Sequence, residues 1–222
     1  MTTNLAPVSA IADVLALIGR DGWLTPPLQP IVACTTPTRS RAKTFRLEMR
    51  DNGPGLSALY EALSTDLTGC AVVIEAHSVE GAIWGEILAT AAKNSGVVTA
   101  IVGGSVRDRS SILAINLPLY AEREIVVGPA GKAHVTEVGC ALTIGSVTIC
   151  QEDVIVGDMG GCVRIPSALA TDVLNAALAY AAAEQDTLDS LHRGEPLTTA
   201  YLYKKYVVEG ILADWFDKTG IL

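Results

Sequence analysis

Apolar residues recur along this chain with two different periods, and the changes of period divide it into elements. Ile11, Val14, Leu15 and Ile18 stand at helical spacing and predict a short helix over Ser9 to Ile18. Gly19 and the Arg20-Asp21-Gly22 turn end it. Trp23 to Val32 is rich in proline, which favours extended or turning backbone. Thr44 to Met49 alternates as a strand does, and Asp51-Asn52-Gly53-Pro54-Gly55 reads as a loop. Leu59, Leu63 and Leu67 then predict a helix over Leu56 to Leu67.

From Cys70 the pattern becomes strand, helix, strand. Cys70 to Ala76 is a short continuous apolar run, as expected of a strand buried on both faces. Gly85 to Asn94 reads as a helix with Ile87, Leu88 and Ala91 on one side and Gly96 closing it. Val97 to Val102 is the next buried strand, and the spacing suits a parallel βαβ unit. After Pro118 short strands are expected at Leu119 to Ala121, Ile125 to Val127, Ala133 to Val138, Ala141 to Ile149 and Asp153 to Ile165. A long helix follows to about Leu191, with Ser167 as its N-cap and Leu169, Val173, Leu174, Ala177, Leu178 and Ala181 on its face. Tyr201 to Phe216 forms a last amphipathic segment. The expected class is α/β, with a βαβ core and helices packed on a mixed sheet. Residues 1–222 read as one domain, with 195–222 as a helical extension.

Composition narrows the partners. Sixteen Lys and Arg against 24 Asp and Glu leave a formal charge of −8. No basic stripe exists to neutralise phosphates, which argues against nucleic acid. The densest basic cluster, Arg39, Arg41, Lys43 and Arg46, reads as a solvated strand face. No apolar run approaches the ~20 residues of a membrane span, and no export signal stands at the start. The five cysteines (34, 70, 140, 150, 162) form no Cys-x-x-Cys, so reduced thiols and a cytoplasmic setting are expected. Gly128-Pro129-Ala130-Gly131-Lys132 lacks the glycine spacing of a phosphate loop, and Ala133 stands where that loop needs Ser or Thr. The three histidines have no metal-ligand spacing; His77, at the end of the first buried strand, reads as structural.

The chemistry concentrates in two short blocks, Trp84-Gly85-Glu86-Ile87-Leu88-Ala89 and Gly103-Gly104-Ser105-Val106-Arg107-Asp108. Glu86 opens a helix, where the N–H groups of Ile87 and Leu88 would be free and the helix dipole favours an anion. Arg107 and Asp108 follow a buried strand. A βαβ unit can bring the helix start and the strand exit to one sheet edge. Two carboxylates, a guanidinium and a helix N-terminus there would suit a hard divalent ion and a 2-oxo acid. Arg107 would clamp the carboxylate, and the ion would stabilise an enolate. The same residues equally describe a glutamate at a helix start beside a surface Arg–Asp pair.

Glu86, twenty intervening residues and Arg107-Asp108 resemble the acidic-x20-Arg-Asp signature of the RraA-like proteins. Trp84 to Ala92 is similar to that family's helix start, Asp51-Asn52 to its Gly-Asp-Asn loop, and Asp153 to Asp158 with Gly161 and Pro166 to its late strand run. The enzymatic branch contains 4-hydroxy-4-methyl-2-oxoglutarate / 4-carboxy-4-hydroxy-2-oxoadipate aldolases, which also decarboxylate oxaloacetate. The resemblance implies a swivelling β/β/α fold and a homotrimer or hexamer with sites at subunit interfaces. It implies that Asp108 ligates Mg²⁺ or Mn²⁺, with Glu86 acting through water and Glu184 doing so from a neighbouring subunit. It further implies that Arg107, Ile87, Leu88 and Asn52 bind a small 2-oxo acid and that Lys132 joins Arg107 and Glu86 as a catalytic residue. The implied activity is a metal-dependent lyase that cleaves a C–C bond through an enolate. The alternatives are an RraA-type protein-binding regulator and a biosynthetic enzyme running another reaction on the same site. Cys150-Gln151-Glu152-Asp153 departs from the family's Pro-Gly-Asp turn and Gly103-Gly104 from its Asp-Gly, which leaves the substrate's distal contacts open.

Overall fold

The computed structural model describes residues 4–219. In chain order the elements are α1 (Val8–Leu17), β1 (Gln29–Val32), β2 (Thr38–Met49), α2 (Ser57–Leu63), β3 (Cys70–Glu75), β4 (Ala82–Trp84), α3 (Glu86–Asn94), β5 (Thr99–Val106), α4 (Arg109–Ile115), β6 (Leu119–Glu124), β7 (Ala133–Val138), β8 (Leu142–Ile144), β9 (Val147–Ile149), β10 (Val154–Asp158), β11 (Gly161–Ile165), α5 (Ala170–His192), α6 (Leu197–Ala200) and α7 (Leu202–Thr219). They fall into two compact units: residues 23–167, and the segment up to Gly22 together with the chain from Ala168 onward.

The first unit is built on a nine-stranded mixed sheet in the order β1-β6-β5-β3-β2-β10-β11, with β4 pairing β5 and β7 pairing β2. Its centre is parallel: β2 with β3, β3 with β5, and β5 with β6. These strands are covered on both faces, so β5 is buried at every position and β3 at all but Glu75. Alternation sends Val72 and Ile74 into a cluster with Leu59, Trp84 and Leu88. Ala71 and Val73 enter a second cluster with Leu142, Ile144, Val147 and Ile149. Trp23, ahead of β1 at one end of the strand order, pairs with Val163 of β11 at the other, so the sheet nearly closes on itself. The mixed α/β class is the one expected.

Several local expectations change. Strand β5 runs on through Gly103-Gly104-Ser105 to Val106, and α2 ends at Leu63 rather than Leu67. Helix α3 buries Leu88, Ala89 and Ala92, while Ile87 is 79% exposed. Ala141 to Ile149 and Asp153 to Ile165 are each a hairpin, not one strand. The first turns at Gly145-Ser146, where Gly145 has φ +57°, the sign that two-residue hairpin loops demand. Ile125 to Val127 is not a strand, and β4 and α4 were not foreseen. The basic cluster lies on β2: Arg39 and Arg41 are exposed, and Arg46 pairs with Glu75 and Glu137.

The second unit packs α1, α5, α6 and α7. Helix α5 buries Val173, Leu174, Ala177, Tyr180 and Ala183. The Tyr180 hydroxyl donates to Asp13 Oδ2 at 2.7 Å. Ser167 is not the N-cap of α5: a 3-10 turn over Ser167–Leu169 precedes that helix. The Ser167 N–H donates instead to Asp153 Oδ1 at 3.1 Å. All five cysteines are free thiols. No described helix is long and apolar enough to cross a membrane.

Candidate active site

Two strand-to-helix junctions meet at one place in the sheet unit. The Arg107 N–H donates to the Trp84 carbonyl at 2.9 Å, which ties the exit of β5 to the exit of β4. From there β4 passes through Gly85 into α3, and β5 passes through Arg107 and Asp108 into α4. Asp108 takes the left-handed conformation, φ +64°, uncommon outside glycine and best tolerated by Asp and Asn. That twist lets its Oδ2 accept the Glu86 N–H at 3.2 Å. Arg107 Nε stands 3.6 Å from the same oxygen. A Cβ on Gly85 would lie 2.5 Å from Asp108 Oδ2 and 3.2 Å from Arg107 Cγ, so only glycine permits this approach. The first bond internal to α3 is donated by the Ala89 N–H to Gly85 O at 3.0 Å. The N–H groups of Ile87 and Leu88 precede it and face the helix entrance, where the dipole favours an anion.

Trp84, Gly85, Arg107 and Asp108 of this junction line a cleft of ≈700 Å³. Arg107 also lies under the loop after β6: a Cβ on Gly128 would come within 3.1 Å of its Nη1. The glycine-rich run at 128–131 is therefore a close cover for the guanidinium. Lys132 and Asn52 do not line the cleft, although Gly131, Ala133, Pro54 and Gly55 do. Lys132 Nζ pairs with Asp51 Oδ1 at 3.1 Å on an open surface. The Glu86 carboxylate is exposed and has no ion pair among the described residues. Glu184 belongs to the helical unit, where Lys204 Nζ donates to its Oε1 at 2.7 Å. Burial alone would lower the Lys204 pKa, but hydrogen bonds to Glu184 and Tyr180 outweigh it and raise the pKa above the ordinary lysine value.

Sequence reasoning did not reach His134. It is buried on β7, and its Nδ1 accepts the Gly55 N–H at 2.7 Å, which fixes the loop beside the cleft. Nor did it assign α2 to the cleft wall, where Tyr60 and Leu63 stand. The Asp-Asn-Gly-Pro-Gly loop was the available signal for both. His77 is elsewhere: it sits between Glu122 and the Thr143 carbonyl, and lines a separate pocket that shares no residue with the cleft. Among the described residues no group of three or more His, Cys, Asp or Glu is placed to hold a metal ion.

Residues 8–164 match the family described as "RraA-like: Aldolase/RraA". The chain belongs to the RraA-like family. It is 31% identical over 137 residues to a Halalkalibacterium halodurans protein named "Putative 4-hydroxy-4-methyl-2-oxoglutarate aldolase", a match spanning 61% of this chain and 63% of that one, less than two thirds of the relative's length. Among solved structures, an "uncharacterized protein" of Pseudomonas syringae pv. tomato superposes with a TM-score of 0.79 at 25% identity, covering 89% of each chain. RraAS2 of Streptomyces coelicolor, described as an unusual member of the RNase ES inhibitor RraA family, superposes at 0.69 with 17% identity, over 85% of this chain and 91% of that one. The last likeness speaks to fold alone. In this fold the Glu86 and Arg107-Asp108 blocks meet at the carboxyl ends of β4 and β5.

Proposed function

We propose that this RraA-like protein is a divalent-metal-dependent lyase that cleaves a C–C bond of a 2-oxo acid by way of an enolate. One observation carries the reading: Asp108, Arg107 and the N-terminus of α3 share one contact point, held by the absence of a side chain at Gly85. Asp108, with Glu86 acting through water, would hold Mg²⁺ or Mn²⁺. A set of one or two carboxylates suits a hard ion that keeps much of its water and completes its shell with substrate oxygens. Such an ion supplies positive charge against a developing enolate.

The chain's own residues do the rest. Arg107 binds the substrate carboxylate through its planar fork. The Ile87 and Leu88 N–H groups face the keto oxygen, and the field of α3 favours negative charge there. In the retro-aldol direction the C4 hydroxyl loses its proton, the C3–C4 bond breaks, and its electron pair remains on the pyruvate fragment. Water oriented by Glu86 takes the proton. Lys132 and Asn52 stand on loops beside the cleft, outside its lining, and Lys132 would have to leave Asp51 to meet the bound acid. Glu184 reaches the site of a neighbouring copy in a trimer or hexamer. The free thiols support a reducing, cytoplasmic setting.

The test is oxaloacetate decarboxylation with and without Mg²⁺ or Mn²⁺, beside Asp108→Asn. Asparagine tolerates the left-handed backbone, so the variant keeps its shape and loses its charge. Metal-dependent turnover that falls by roughly a hundredfold or more in the variant is expected, as for loss of a group stabilising transition-state charge. No turnover by the folded wild-type protein with either ion sinks the proposal.

A further inference from the structure

The run Gly128-Pro129-Ala130-Gly131-Lys132 carries glycines like those of a phosphate loop without its spacing, and the structure shows what they meet instead. The loop that holds them, between β6 and β7, is tied down at both ends. The Ile125 N–H donates to Val106 O at 3.0 Å and the Ala82 N–H donates to Val127 O at 2.8 Å, so the loop leaves β6 beside the end of β5 and the start of β4. It turns back where the Lys132 N–H donates to Pro129 O at 3.0 Å, with φ +50° at Ala130 and +77° at Gly131. The Lys132 carbonyl then accepts the Arg50 N–H at 2.9 Å.

Between these ties the loop rests on Gly81. A Cβ on Gly81 would lie 2.6 Å from the Gly128 carbonyl carbon and 2.7 Å from Pro129 N. Gly81 also has φ +117°, so backbone conformation and space each demand glycine there. The same Gly128 meets Arg107, where a Cβ would lie 3.1 Å from Nη1. Arg107 Nε stands 3.6 Å from Asp108 Oδ2. The guanidinium is therefore bounded by a carboxylate at Nε and by the loop backbone at Nη1. A side chain at 81 would displace Gly128, and one at 128 would displace the guanidinium. All of these contacts lie within one chain and hold whatever a neighbouring copy adds to the cleft.

We infer that Gly128, seated on Gly81, is a positioning residue for Arg107. The two glycines set how closely the backbone covers the guanidinium, and so the pose in which it binds the substrate carboxylate. This rests on the lyase reading above and adds two residues that act only through Arg107. The carboxylate stays bound from substrate to enolate, so Arg107 holds ground state and transition state alike. A misplaced Arg107 should then raise KM and leave kcat in place.

Gly128→Ala and Gly128→Val test it, since Gly128 does not take a positive φ and tolerates a side chain in its backbone. With Mg²⁺ or Mn²⁺ present, KM for oxaloacetate and the calorimetric dissociation constant of pyruvate are expected to rise roughly threefold for alanine and about tenfold or more for valine, with kcat held within about twofold. In the Arg107→Lys background the same substitutions should move either constant by less than about twofold, because the fork they displace is gone. A general loss of structure would carry the same cost in both backgrounds. Gly81→Ala pushes on Gly128 from the other partner of the contact and should raise both constants as well. Unchanged constants in the folded Gly128 variants, a loss that falls on kcat alone, or an equal rise in both backgrounds overturns the inference and leaves the lyase reading standing. No turnover by the folded wild-type protein with either ion overturns that reading, and the inference falls with it.

Discussion

Asp108 Oδ2 accepts the backbone N–H of Glu86 at 3.2 Å, joining residues 22 positions apart in the chain. The bond occupies one donor at the start of α3 and fixes the carboxylate where Arg107 also reaches it. A cap on α3 therefore comes from the N-terminus of another helix. Its position depends on Gly85 having no side chain.

Gly85→Ala should break this arrangement at its tightest point. The added Cβ would lie 2.5 Å from Asp108 Oδ2, closer than real contacts allow, so the carboxylate must move off the helix start. Gly85 has φ −157°, which alanine adopts freely, so the effect is one of contact and not of backbone strain. Turnover should fall at least tenfold with only a modest change in thermal stability. A variant with wild-type kinetics would show that Asp108 need not touch α3.

Arg107→Lys keeps the charge and loses the fork. The loss of one charge-assisted bond to a carboxylate is about 1.5–3 kcal/mol, or roughly ten- to a hundredfold in kcat/KM. The rise should fall mainly on KM for pyruvate-type ligands, and steady-state kinetics would show it. Unchanged kinetics remove Arg107 from the site.

Asp153 organises the corner before β10. Buried to 3% exposure, it accepts the Cys150 N–H at 2.8 Å, the Ser167 N–H at 3.1 Å and Arg164 Nε at 2.6 Å. Asp153→Ala leaves three donors without their acceptor and should cost about 3–5 kcal/mol, the range for breaking a buried pair. Urea unfolding of the variant measures it, and a cost below 1 kcal/mol would contradict this role.

Burial pushes the Cys162 thiol up to about 12. The shift is upward from an ordinary thiol, so its stabilising contribution is complete below the unfolded value and is lost as pH rises through the folded one. At pH 9 roughly a thousandth of Cys162 would be thiolate, and the thiolate is the reactive form. Iodoacetamide at that pH should label the half-exposed Cys34 and Cys150 well before Cys162, as peptide mapping would show. Early labelling of Cys162 would mean that β11 opens in the native state.

What the sequence determined by itself was whatever a local period or a local residue requirement carries. The runs at Cys70–Ala76 and Val97–Val102 read as strands covered on both faces, because apolar residues fill them. The spacing of Leu59 and Leu63 sufficed for α2, and the Glu86 and Arg107-Asp108 blocks were legible as chemistry through their residue types. That a βαβ unit could bring those blocks together was also anticipated, but not the pairing that does so: the parallel pairing of β4 with β5 rests on hydrogen bonds between segments that no local period connects. The outward turn of Ile87 was missed because its spacing also fits an inner face, and only packing against the sheet chooses which side of α3 is buried. The cleft was likewise invisible, since α2, β4 and α3 each contribute a few side chains to it. Periodicity shows that a residue is buried, but which residue it is buried against depends on tertiary structure.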